Sequence, residues 1–107
     1  MSNVRMTQVT ALILQAVGAG YRYGFDIMDV TGLASGTVYP ALRRLERADL
    51  LKSTWEEVEA AHRGGRPQRR MYELTTEGES ALADAADKLA AARALLLATP
   101  PVTEVKG

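Results

Sequence analysis

The tightest constraint on this chain is a connection of two or three residues near its centre. Tyr23, Ile27 and Val30 recur at helical spacing in a short segment that ends near Gly32, and a second helical segment opens at about Ser35. Two short helices joined so tightly make a helix-turn-helix candidate, with the second helix as the reader. In that second segment Val38, Leu42 and Leu45 fall at i, i+4 and i+7 and share the side that must be buried. Arg43, Arg44 and Arg47 fall elsewhere on the circle. Such a helix suits a nucleic-acid groove and equally an ordinary solvated face, so the segment alone leaves both open. Either Ser35 or Thr37 is available as N-cap, and Pro40 is expected in or near the first turn, where its missing donor matters least.

The neighbouring segments decide more. Upstream, Val9, Leu12, Ile13, Ala16 and Val17 form an apolar helical stripe, with Thr7 as a candidate N-cap and Gly18 and Gly20 as stop signals. The spacing of Gly18, Gly20 and Gly24 suggests a dinucleotide-binding loop, but that fingerprint needs a preceding strand and a different interval. Downstream, Asp49 is expected in the left-handed conformation at the exit of the arginine-bearing helix. Leu51 to Glu56 and Gln68 to Leu74 read as two strands, Tyr72 and Leu74 sharing one side of the second. Between them Gly64-Gly65-Arg66-Pro67 marks the flexible, basic tip of a hairpin. Arg63, Arg66, Arg69 and Arg70 lie between Ala61 and Tyr72 with no acid among them. A basic hairpin beside a reading helix is a wing, suited to gripping DNA at a second place.

A last helix is expected from about Thr76, where Thr76-Glu77-Gly78-Glu79 has capping-box spacing and Thr75 is the alternative cap. It runs to about Ala98, where Thr99-Pro100-Pro101 stops it. Leu82, Ala85, Leu89, Ala92 and Leu96 recur along it as a heptad-like seam, longer than a domain of this size needs to cover its own core. The sharper reading is a dimerisation helix and the plainer one a core-covering helix. The expected organisation is therefore a DNA-binding unit over residues 1–75, a dimerisation helix over 76–99 and a flexible tail over 100–107. The fold class is mainly α with a small β-hairpin, a winged helix-turn-helix with a long C-terminal helix.

Thirteen basic and thirteen acidic side chains give zero formal net charge, so any nucleic-acid face must come from the distribution of charge rather than its sum. Zero net charge also supports an alternative, a winged-helix protein-interaction module without specific DNA binding. With no cysteine and one histidine, His62, in a hairpin loop, nothing supports catalysis, a cofactor or a metal site. Glu56, Glu57 and Glu59 read as a solvated strand end, and Trp55 as packed at the wing or partly exposed. The start of the chain has no signal-peptide pattern and no run of residues suits a bilayer, so a cytoplasmic protein with no membrane partner is expected.

The run from Gly36 to Glu46, then Leu50-Leu51, Trp55-Glu56-Glu57, Arg66-Pro67, Arg70-Met71-Tyr72-Glu73-Leu74-Thr75 and Glu77-Gly78, resembles the PadR-like transcriptional regulators. Tyr23-Gly24-Phe25-Asp26-Ile27 resembles the same family's second helix, and the likeness covers roughly residues 7–82. It implies a homodimer that binds operator DNA, usually as a repressor, and whose single last helix is of the short type. By that resemblance Ser35, Thr37, Tyr39, Arg43 and Arg44 face DNA, Arg47 beside them, and the four wing arginines contact phosphates or the minor groove. A small apolar effector between helices of the dimer is compatible with it. The last helix has no aromatic residue, so the aromatic drug-stacking site of some short members does not carry over.

Overall fold

The computed structural model describes residues 6–98. In chain order the elements are α1 (Gln8–Gly18), α2 (Gly24–Thr31), α3 (Ser35–Arg47), β1 (Leu51–Trp55), α4 (Val58–Arg63), β2 (Arg70–Leu74) and α5 (Thr76–Ala98). The expected stop at Thr99-Pro100-Pro101 and the expected tail over 100–107 lie outside the described residues.

Side-chain caps start α1 and α5, while α2, α3 and α4 begin without one. Thr7 caps α1, its hydroxyl accepting from the Thr10 N–H at 3.2 Å. In the turn from α2 to α3, Gly32 takes φ 75°, a conformation in which a side chain would be strained. The Thr31 hydroxyl donates to the Ile27 carbonyl at 2.6 Å and accepts from Leu33 N–H at 3.2 Å, closing that turn. Neither Ser35 nor Thr37 caps α3: the N-cap is Ala34, which has no side-chain acceptor, and Ser35 is already the first helical residue. Pro40 is consequently the sixth residue of the helix rather than part of its first turn. At the far end Asp49 does adopt φ 62° and turns the chain into β1.

The core lies where α1, α2 and α3 meet the hairpin, and Ile13, Leu14, Ile27, Val38, Leu42, Leu45 and Leu51 are its fully buried side chains. The burial of Val38, Leu42 and Leu45 follows from their spacing. In α1 the buried face is Thr10, Ile13, Leu14, Ala16 and Val17, which corrects the expected stripe: Leu14 replaces Leu12, which is exposed. In α2 only Ile27 of the expected trio is buried; Val30 points outward and Tyr23 precedes the helix.

The strands pair antiparallel from Leu51 opposite Leu74 to Trp55 opposite Arg70. A bridge between Tyr23 and Met71, with Tyr72 N–H donating to the Arg22 carbonyl at 2.8 Å, adds a short third edge. The segment between the strands is not the open tip expected from its glycines. It contains α4, whose Glu59 near the start and His62 and Arg63 near the end suit the helix dipole, and whose Ala61 is buried. Gly65, at φ 66°, then reverses the chain.

Thr75, the alternative cap, starts α5: its hydroxyl accepts from Gly78 N–H at 2.9 Å. Gly78 lies so close to Leu50 that a Cβ would drive into the Leu50 carbonyl. Gly78→Ala is therefore expected to lower stability by about 2 kcal/mol or more, because backbone, not a flexible side chain, must yield. Gly36→Ala, which meets nothing within 4 Å, is the control and is expected to be neutral or to stabilise by up to about 1 kcal/mol. Urea midpoints of the two variants measure both; a Gly78→Ala midpoint equal to wild type would contradict the close approach.

Candidate nucleic-acid interface

One outward face carries most of α3's charge. Ser35, Gly36, Thr37, Arg43, Arg44 and Arg47 are exposed, while Val38, Ala41, Leu42 and Leu45 are buried. Arg43 and Arg47 stand one turn apart, where like charges repel by a few tenths of a kcal/mol. The acid that could relieve them, Glu46, turns away: its carboxylate accepts from the Ser53 hydroxyl at 2.6 Å and lies 3.6 Å from Arg70. Among the described residues, the three α3 arginines have no ion-pair partner. At the start of the helix the Ala34 cap leaves backbone N–H groups without a side-chain acceptor, so this end favours an anion. Tyr39 is half-covered: its ring occupies the space where a Cβ of Gly24 would lie, which locks α3 against α2.

The wing is organised differently. Glu56, expected to be solvated, is only 6 % exposed. Arg66 donates to it through both terminal nitrogens, at 2.5 and 2.9 Å. Arg69 adds its backbone N–H and its Nη2, each at 3.3 Å. The Glu56 backbone is fixed too, its N–H donating to the Arg69 carbonyl at 2.8 Å and its carbonyl accepting from Gln68 Nε2 at 2.5 Å. On its other side the Arg69 guanidinium lies 3.7 Å from the centre of the Tyr23 ring. Arg70 donates to Ser53 at 2.9 Å and stands 5.3 Å from the ring centre of Trp55, which is itself 60 % exposed. Of the four wing arginines, Arg63 alone has no internal partner among the described residues. The single-sequence pattern missed Glu56 and Tyr23. The available signal was the surplus of arginine across the hairpin from an isolated acid run.

These contacts set the acidity of Glu56. Hydrogen bonds from Arg66 are the largest cause, outweighing desolvation, and with those from Arg69 they hold the carboxyl at about 2 against an ordinary 4.5. The same pairing raises Arg66 above its usual value.

The family model described as the transcriptional regulator PadR-like family matches residues 13–84. The chain belongs to this family. As a PadR-like protein it is a DNA-binding transcriptional regulator rather than an enzyme, and the arginine face of α3 is read in that light. No curated protein matches the chain. Among solved structures it is similar to a PadR-like transcription factor from Bacteroides fragilis, with 27 % identity, a TM-score of 0.69, and 82 % of this chain and 85 % of that one covered. A PadR family transcription regulator from Clostridium difficile shares the fold at 23 % identity and a TM-score of 0.73, covering 94 % of this chain and 100 % of that one. The PcaV transcriptional regulator from Streptomyces coelicolor, solved with its natural ligand, shares it at 21 % identity and a TM-score of 0.75, covering 97 % and 70 %. Among the described residues no helix is long and apolar enough to cross a membrane, and no cluster of acids or histidine could hold a metal ion.

A carboxylate held below its unfolded value stabilises the fold fully above about 4.5, and that contribution is lost as pH falls toward 2. Wild type is expected to lose more stability than Glu56→Gln between pH 5 and pH 3. Urea midpoints at the two pH values measure this, and parallel losses would separate Glu56 from the acid transition.

Proposed function

We propose that this PadR-like protein is a repressor that binds a pseudo-palindromic operator as a homodimer, its two α3 helices entering successive major grooves. The observation that carries the reading is the set of Arg43, Arg44 and Arg47 on α3, exposed and without ion-pair partners among the described residues while Glu46 is engaged by Ser53 and Arg70. A fan of guanidinium groups suits both guanine edges and phosphates. Ser35 and Thr37 add hydroxyl donors at the helix start, and Tyr39 offers its free edge. From the wing, Arg63 is exposed and has no internal partner among the described residues, and Arg70 is a second exposed cation; Arg66 and Arg69 are paired with Glu56. Repression is the mode that the family resemblance implies.

Dimerisation through α5 is supported by what that helix leaves uncovered. Leu89 is 71 % exposed and Leu96 77 %, in a row with Ala85 and Ala92, whose small side chains let two helices approach closely. Covering an exposed leucine contributes about 1.5–3 kcal/mol. Leu82, Ala85 and Leu89 also line a groove of about 850 Å³ against Leu12, Ala11 and Met6 at the start of α1. A partner helix laid along the seam borders this groove, and a small apolar effector seated there would alter the spacing of the two reading helices. The reading helices of such a dimer should sit about 34–36 Å apart, or a multiple of that.

Fluorescence anisotropy on genomic fragments, including the protein's own promoter, tests the reading. Arg44→Ala is expected to weaken operator binding about tenfold or more while changing binding to mixed-sequence duplex far less, since a lost base contact is worth about 1–3 kcal/mol. Leu89→Glu combined with Leu96→Glu is expected to run as a monomer in light scattering and to lose operator affinity at least a hundredfold. A wild-type protein with no preferred sequence at low salt, or a monomeric variant with full affinity, would sink the proposal.

A further inference from the structure

Glu56 is placed where its effect reaches beyond the wing. Its two oxygens accept from two Arg66 nitrogens, from Arg69 Nη2 and from the Arg69 N–H, which fills the lone pairs a carboxylate offers. A carboxylate this buried is tolerable only with such partners, so withdrawing either arginine toward a phosphate would strand it. The side chains of Arg66 and Arg69 are 32 % and 37 % exposed, so both are partly withdrawn from solvent, whereas Arg43, Arg44, Arg47 and Arg63 are exposed residues. Arg69 Nε is buried with no hydrogen-bond partner among the described residues. Arg69 is therefore held between Glu56 and the Tyr23 ring in a position that does not satisfy all its own donors. Tyr23 is the residue from which α2 starts, and the backbone beside it is joined to β2 through Tyr72 N–H and the Arg22 carbonyl. A second brace, Arg70 to Ser53 to Glu46, joins the strands to α3.

The geometry points to Glu56 as a positioning residue for DNA recognition, drawing Arg66 and Arg69 inward and setting the wing against α2 through the Arg69–Tyr23 stack. The inference rests on the reading of α3 and the wing as the DNA-facing side. It removes two of the four wing arginines from the phosphate contacts that the resemblance assigns them. Their charge is spent inside the protein. What the wing gains is a fixed attitude relative to the helix pair that carries the readers.

The test is the salt dependence of binding by the full chain, on a mixed-sequence duplex and on the operator selected from genomic fragments. Each phosphate contact contributes about 0.9 to the slope of log affinity against log salt. Arg66→Gln and Arg69→Met are expected to leave the slope on mixed-sequence duplex unchanged while lowering operator preference severalfold. Glu56→Gln is expected to steepen the slope by about 1 to 2 as two guanidinium groups are released, and to lower operator preference about tenfold. General destabilisation does not steepen a salt slope. Slopes that fall by about 0.9 in each arginine variant would show direct phosphate contact and overturn the proposal. Should Glu56→Gln not fold, the arginine variants decide alone. Hydrogen exchange on DNA-free protein separates this inference from the functional reading: Arg69→Met is expected to speed exchange at Glu56 and Tyr72 while Leu42 and Leu45 stay protected. Unchanged exchange at Glu56 and Tyr72 overturns the brace whether or not the protein selects an operator.

Discussion

The whole arrangement hangs on a small knot of backbone where α3 ends and α5 begins. Asp49, in its left-handed conformation, swings the chain out of α3, and Leu50 N–H donates back to Leu45 at 3.0 Å. Thr75, arriving from β2, donates its hydroxyl to the Asp49 carbonyl at 2.5 Å and its N–H to the Leu50 carbonyl at 3.1 Å. Gly78 then fits against Leu50 because it has no Cβ. Four elements, α3, β1, β2 and α5, are thus joined by hydrogen bonds among five residues. Beyond Ala85 every described residue of α5 is exposed, so side-chain packing cannot set the direction of its outer half. The knot sets it. In the proposed dimer along α5, the separation of the two α3 helices would follow from this junction.

Zero net charge is compatible with a DNA-binding face because two acids that could offset the arginines, Glu46 and Glu56, are engaged within the hairpin region. Glu46 is turned to Ser53 and Arg70, and Glu56 to Arg66 and Arg69. Glu73 stands 3.8 Å from both Arg22 and Lys52 on the outer hairpin surface, where solvent leaves such pairs worth about 1 kcal/mol or less. Among the described residues the α3 arginines have no ion-pair partner, so local positive charge on that face is compatible with a vanishing sum over the chain. Composition bounded the class of partner poorly here; the pairing pattern bounds it well.

What was legible in the sequence and what was not divides along the range of the interactions involved. Val38, Leu42 and Leu45 announced α3 because its burial is set by spacing within one segment, and Asp49 announced its turn for the same local reason. The span of α5 followed from Thr75 or Thr76 at one end and the leucine-alanine repeat after it. Leu12 and Leu14 could not be ranked locally, since both are leucines on shoulders of one stripe and the choice depends on where α2, α3 and β2 lie against α1. The short α4 was invisible because it buries one alanine, Ala61, and offers no stripe; Gly64 and Gly65 read as the whole turn when they only end a helix. Glu56 was the largest miss. Its burial depends on residues ten and thirteen positions later, and no local pattern of polarity reports a carboxylate whose partners arrive from the segment that leads into the opposite strand.

Under the proposed effector-linked dimer, the knot and the groove would define how a signal at α5 reaches α3. The base of α5 is pinned at Leu50, while Leu89, some eleven residues and about 16 Å farther along, borders the groove opposite Leu12. In that proposed reading, a molecule seated between α1 and α5 would act on a lever with a fixed end, small strains near Gly78 corresponding to larger displacements farther along α5. The other wall of the groove is α1, whose opposite side places Ile13, Leu14 and Val17 in the same core as Val38, Leu42 and Leu45 of α3. Close-packed interiors transmit displacement rather than absorb it. In the proposed dimer, strain in the groove would reach α3 through the core and the partner's α3 through the seam. The groove lies between α5, pinned at its base, and α1, the helix that packs behind α3, which is the position that the proposed effector reading requires.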